Sequence, residues 1–155
     1  MNRILILRLS SLGDVVLTTS VIKTLQDSLG TELYFVTKKI YAPILRGLLE
    51  DNRLLLFSEQ TDALSIRQQI KHIKPDVILD LHNNSRTHIM TSGLSKVYRV
   101  PKHRLRRMIA TKSQNPKEPH TVLNDYRELL MRNLNIPELS MPYLVDRGFP
   151  SEKGR

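Results

Sequence analysis

Apolar and polar positions along this chain switch repeatedly between a strand-like and a helical period. Arg3 to Leu9 is an apolar, β-compatible run closed by Ser10-Ser11-Leu12-Gly13, and predicts a first strand. From about Asp14 onward, Val15, Thr18, Ile22, Leu25 and Leu29 recur on one helical face with Val21 beside them, and Gly30 is placed to stop the helix. Leu33 to Val36 predicts a second strand, Tyr41 to Leu49 a short helix with Pro43 in its first turn, and Leu54 to Phe57 a third strand. Asp62 can cap a helix running to Ile73, with Leu64, Ile66, Ile70 and Ile73 as its apolar positions and Lys74-Pro75 ending it. Val77 to Leu81 is apolar throughout except for Asp80, the pattern of a strand inside a parallel sheet. Ser85 to Thr91 predicts a helix closed by Gly93, and Lys96 to Val100 a fifth strand ended by Pro101. Lys102 to Pro119 is basic and aperiodic, apart from one turn of helix around Leu105 to Ile109. His120 to Leu134 is a helix with Leu123, Tyr126, Leu130 and Leu134 on one face.

Strands alternating with helices of these lengths imply right-handed βαβ units. The expected fold is α/β: a Rossmann-like parallel sheet with helices on both faces. The expected domain covers residues 1–135. Residues 136–155, with Pro137, Pro142 and Pro150, read as a linker or frayed tail, so a further domain is expected to have followed.

Composition narrows the function classes. The 155 residues include no cysteine, which excludes disulfides and thiolate metal sites and leaves cytoplasm as the default compartment. The opening apolar run is broken by Arg8 too soon for a signal peptide, and no stretch approaches the roughly 20 apolar residues of a membrane helix. The histidines lack the companions that a metal site requires, so no metal and no cofactor is expected. The net charge of +9 is concentrated: between Asp80 and Glu118 lie nine bases and no acid, while the other 15 bases balance the 15 acids. Such a segment is either a solvated loop or an attractor of phosphate on nucleic acid, anionic lipid or a phosphorylated sugar.

In a doubly wound sheet, ligands bind outside the carboxyl ends of the strands. Two junctions there are rich in polar groups. At the first, Ser10 and Ser11 offer hydroxyls, Gly13 permits close approach of the backbone, and Asp14 stands at the helix entrance. It lacks the three glycines of a dinucleotide site and the Gly-Lys-Ser/Thr of a phosphate-binding loop. Asp14 could deprotonate a bound hydroxyl or simply cap the helix, and its spacing allows both. The second junction is Asp80-Leu81-His82-Asn83-Asn84-Ser85-Arg86. No nucleophile elbow is present.

The block from Arg3 through Ser10-Ser11-Leu12-Gly13-Asp14-Val15-Val16-Leu17-Thr18-Thr19 resembles the N-terminal signature of the ADP-heptose:lipopolysaccharide heptosyltransferases, glycosyltransferase family 9. Pro75 through Arg86 and the helix from His120 through Tyr126 to Leu130 continue the likeness; Ser20 departs from it, where many relatives have proline. The resemblance implies the N-terminal half of a GT-B glycosyltransferase, whose N-terminal domain holds the acceptor, the inner core on lipid A, and whose C-terminal domain holds ADP-heptose. It makes Asp14 the base of an inverting transfer. It also gives the basic segment, with Lys102, Arg104, Arg106 and Arg107, a phosphate- and carboxylate-bearing partner. Ser10, Ser11, Gly13, His82, Asn83 and Arg86 become candidate acceptor contacts. Family members run to about twice this length, two domains of ordinary size. The donor-binding half is therefore expected to be missing, through a cut, a truncated frame or a split enzyme, and the chain to be inactive alone, its other half supplied in cis or in trans. A cytoplasmic protein with peripheral contact to the anionic inner membrane fits this picture. The alternative is a non-catalytic basic module for nucleic acid or anionic lipid. Nucleic acid is not expected, since Tyr98 is the lone aromatic among the bases from Lys96 to Lys112.

Overall fold

A computed structural model describes residues 3–58, 61–94, 96–101 and 121–144. Five parallel strands form one sheet: β1 (Arg3–Leu7), β2 (Glu32–Lys38), β3 (Leu54–Phe57), β4 (Val77–Asp80) and β5 (Val97–Arg99), in the order β3-β2-β1-β4-β5. The described helices are α1 (Leu12–Leu29), α2 (Ala42–Leu45), α3 (Ala63–Ile73), α4 (Ser85–Met90) and α5 (Val122–Leu134). This is the α/β, Rossmann-like architecture expected from the sequence.

The period of the central strand divides the core in two. Ile4 and Ile6 of β1 pack with α1 and α5 through Val15, Val21, Ile22, Leu25, Tyr126 and Leu130. Leu5 and Leu7 face the other way, onto Ile66 and Ile70 of α3 and Met90 of α4. Successive side chains of a strand point to opposite faces, so four consecutive apolar residues belong on a strand covered from both sides. Each buried Leu or Ile contributes about 1.5–3 kcal/mol of transfer free energy, which places β1 at the rigid centre of the fold.

Several boundaries differ from the sequence expectation. The first strand ends at Leu7, because α1 begins at Leu12 with Ser11 as its cap; Asp14 lies in the first turn and not before it. The helix expected over Tyr41–Leu49 is only one turn of 3₁₀ helix, Lys39–Tyr41, and the short α2. α3 is capped by Asp62, whose Oδ1 accepts from Ser65 N at 2.7 Å, and it ends on Lys74 in the left-handed region, φ 52°. Residues 136–144 have no regular structure, yet the stretch is tied down as far as Tyr143. Ile136 is buried, Ser140 N donates to Thr24 Oγ1 and Tyr143 N to Thr19 Oγ1, both at 2.9 Å, which ties this stretch to α1. Among the described residues no helix is long and apolar enough to cross a membrane, and no cluster of His, Asp and Glu could hold a metal ion.

Candidate functional site

The chain runs outward from β1 through β2 to β3, then crosses back to lay β4 on the other side of β1. The point where the order reverses opens a crevice between the carboxyl ends of β1 and β4, the usual ligand position of such sheets. The turns after both strands meet there.

Arg8, the first residue past β1, ties them together. Its amide donates to Val36 O at 3.0 Å, while its half-buried side chain crosses to β4, where Nη1 donates to Leu81 O. Nη2 forms an ion pair with Asp14 Oδ2. The same oxygen accepts from Ser11 N at 3.3 Å and from Ser11 Oγ at 3.1 Å. One carboxylate oxygen is therefore spent on the helix start and on Arg8. Oδ1 has no protein partner among the described residues, and the Asp14 side chain keeps 26% of its surface open. Capping and chemistry are compatible here, because they use different oxygens.

Burial alone would raise the Asp14 pKa. The neighbouring Arg8 charge and the hydrogen bonds from Ser11 and Arg8 outweigh it and hold the carboxyl below the ordinary carboxylate value. Asp14 is thus ionised at neutral pH. Arg8→Met is expected to raise its titration midpoint, read by carboxyl NMR. The depressed pKa stabilises the fold above the unfolded-state value of about 3.9, and that contribution disappears as pH falls through the folded-state pKa. The stability gap between wild type and Arg8→Met should accordingly be present at pH 7 and close in acid. An unmoved Asp14 midpoint would show that the ion pair does not govern this group.

His82 follows β4 on the far side of the crevice. Burial, reinforced by the Arg8 charge, pushes its pKa below the usual value despite the opposing carboxylates of Asp80 and Asp14, so the ring is neutral at pH 7. Among the described residues its buried Nδ1 has no hydrogen-bond partner. Tyr126 of α5 contributes a second such atom. The ring is fully buried, and burial pushes its hydroxyl pKa up, within reach of the Arg8 and Asp14 charges; its oxygen also lacks a partner. Arg8 Nε is a third among the described residues, and such buried unpartnered atoms beside one crevice mark a place suited to a polar ligand or water.

The other sequence candidates divide. Ser10 and Ser11 lie at the crevice with Asp14, Ser10 half-buried and Ser11 exposed. Gly13, in the first turn of α1, has open space where a Cβ would stand, so no protein neighbour demands a glycine. Asn83 adopts the left-handed conformation, φ 49°. Both ends of its amide are taken: Nδ2 donates to Val100 O at 2.6 Å, and Oδ1 lies 2.8 Å from His88 Nε2. It shapes the turn. Arg86 is exposed and stands over the Phe57 ring, 5.7 Å from its centroid, in a different cleft whose walls do not include Asp14. Lys102, Arg104, Arg106 and Arg107 lie outside the described residues. Sequence reasoning missed Arg8, whose role depends on β4 being the neighbour of β1, and the hydroxyl of Tyr126, which the helical period registers only as an apolar position.

No protein-family model and no curated protein matches the sequence. Solved structures do. The chain is similar to a glycosyl transferase of family 9 from Veillonella parvula, with TM-score 0.63 and 17% identity over 93% of this chain and 45% of that one. Similar too are the E. coli heptosyltransferase WaaC with ADP (TM-score 0.62, 18% identity, 85% and 46%) and the E. coli ADP-heptose lps heptosyltransferase II (0.61, 19%, 96% and 48%). The fold is thus that of glycosyltransferases of this type, and the chain spans about half the length of the structures it matches.

Proposed function

We propose that this chain is the N-terminal, acceptor-binding half of an inverting heptosyltransferase that moves heptose from ADP-heptose to the lipopolysaccharide inner core. The observation that carries the reading is Asp14: an ionised carboxylate at the strand-order reversal, with one oxygen anchored and the other without a partner among the described residues. In this mechanism the acceptor hydroxyl gives its proton to Asp14 Oδ1 as its oxygen bonds to the anomeric carbon of the sugar. The bond from that carbon to the ADP oxygen breaks on the opposite face, and ADP leaves with the electron pair. Arg8 and Ser11 fix the carboxylate so that no reorganisation is needed when the hydroxyl arrives.

ADP-heptose binds mainly the other half of the enzyme, supplied in cis or in trans, and this chain alone transfers nothing. The protein works in the cytoplasm, where peripheral contact with the anionic inner membrane would bring it to its acceptor. In a binding assay the isolated chain should take up lipid A core oligosaccharide and not ADP-heptose. Low-micromolar affinity for ADP-heptose would overturn this division of labour. A basic module for nucleic acid has less support: Tyr98, the one aromatic among the bases of Lys96 to Lys112, is half-buried against the core, and a single aromatic is thin for base stacking.

A further inference from the structure

The stretch after α5 carries the prolines of a linker but is held at fixed points. Asn135, φ 57°, closes α5 in the left-handed region, and Ile136 N then donates to Leu130 O at 3.4 Å. Ile136 is buried, Leu139 packs on the same core, and Arg127 Nε donates to Pro137 O at 2.9 Å. The chain next crosses α1, where two buried threonines receive it. Thr24 Oγ1 donates its hydrogen to Ser20 O and Thr19 Oγ1 to Val16 O, both at 2.7 Å. With its one hydrogen committed, each hydroxyl oxygen can only accept. Each takes a backbone amide at 2.9 Å, Ser140 N at Thr24 and Tyr143 N at Thr19. Pro137 and Pro142 narrow the unfolded ensemble, which lowers the entropy lost when the stretch is pinned.

Between Ser140 and Tyr143 the point of contact moves back from Thr24 to Thr19. The stretch therefore runs antiparallel to α1, toward the end that carries Asp14. Thr19 is five residues past Asp14, about 7.5 Å along the helix axis. Freed from α1, the eight residues from Ile136 to Tyr143 could reach up to about 26–29 Å from the end of α5. We propose that these residues form a strap, with Thr19 and Thr24 as its positioning residues, which fixes where the chain leaves this domain: beside the first turns of the Asp14 helix. A domain joined past Tyr143 would then pivot about one and a half turns of α1 from Asp14 and not at Asn135. Shortening the free tether in this way raises its effective concentration at the crevice. That consequence rests on the transferase reading above, with the donor-binding half joined in cis. The strap itself stands without it.

The test uses the whole 155-residue chain, whose lack of cysteine lets Leu144→Cys, at a position 59% exposed, carry a single nitroxide label. Paramagnetic broadening is expected at α1 amides around Thr19, and not at Lys71 and His72 of α3 on the opposite face of the sheet. In unlabelled protein, the Ser140 and Tyr143 amides should exchange slowly with deuterium. Thr19→Val/Thr24→Val keeps the branched shape and removes both acceptors. It should speed that exchange about tenfold or more and spread the broadening away from α1. Thr19→Ser/Thr24→Ser retains the oxygens and should behave as wild type, while the Val21 and Ile22 amides report that α1 is folded. Wild-type exchange at Ser140 and Tyr143 as fast as in an unstructured peptide would overturn the strap, whether or not the valine pair folds. So would a folded valine pair indistinguishable from wild type. In an enzyme completed by a donor-binding domain, unchanged transfer with the strap released would overturn its positioning role. A strap present in a completed enzyme that transfers no heptose would instead sink the transferase reading and leave the strap standing.

Discussion

Asp14→Asn, in an enzyme completed by a donor-binding domain, should lower kcat for transfer by about 10²–10⁴, the usual contribution of a positioned general base. The substitution is nearly isosteric, and asparagine retains an oxygen that can accept from Ser11, so α1 keeps most of its start. What disappears is the negative charge facing Arg8 and the oxygen that would receive the acceptor proton. The two roles of this residue therefore separate in measurement. A residue that only secures a helix start costs about 0.5–2 kcal/mol of stability on replacement and leaves turnover intact. A base costs turnover and little stability. Denaturant titration and steady-state kinetics on the same preparation would distinguish them, and a variant that transfers at the wild-type rate would remove Asp14 from the chemistry.

The architecture was legible because the strongest local signals are also global ones. Ile4 to Leu7 must be covered on both faces wherever it sits, and Gly30, φ 56°, and Asp62 punctuate the chain through conformations and hydrogen bonds that do not depend on distant partners. Errors arose where two local signals competed. Asp14 and Ser11 are both cap-type residues, and only the fold selects Ser11, which moves the helix start to Leu12 and puts Asp14 inside the first turn. The stretch after Leu134 carries the prolines of a linker. What holds Ser140 and Tyr143 are threonine hydroxyls 116 and 124 residues away, invisible to any local window.

Charge was misleading in a different way. Summed along the chain, everything outside the acid-free segment is neutral, yet a neutral total conceals a local excess wherever the acids are engaged elsewhere. Lys38 and Lys39, from the neutral remainder, meet Arg86 of the acid-free segment in one cleft, while Asp62 on the same wall caps α3. The converse also occurs. Arg99 counts among the nine bases of the acid-free segment, but its charge is turned inward onto Asp80.

That inward pair sets the second large effect. Asp80 is fully buried at the end of β4; its Oδ1 accepts from His82 N at 3.1 Å and Asn83 N at 2.8 Å, and this bends the chain into the turn that borders the crevice. Oδ2 makes no hydrogen bond and faces Arg99 Nε at 3.3 Å, while Arg99 Nη2 donates to Thr91 Oγ1 at 2.7 Å. Arg99→Leu would leave a carboxylate in the interior with no counter-charge among the described residues. Removing one partner of a buried pair costs about 3–5 kcal/mol, and the partial exposure of Arg99 places this one near 3 kcal/mol. That is a large share of a small domain's total stability of about 5–15 kcal/mol. Asp80→Asn should cost less, about 1 kcal/mol, since asparagine still accepts the two turn amides and the orphaned guanidinium can reach water. The double variant should therefore be more stable than Arg99→Leu alone, a coupling that urea denaturation of the four proteins would measure. Two equal and additive losses would mean that the pair contributes no net attraction. The turn carrying His82 would then depend on its backbone hydrogen bonds alone.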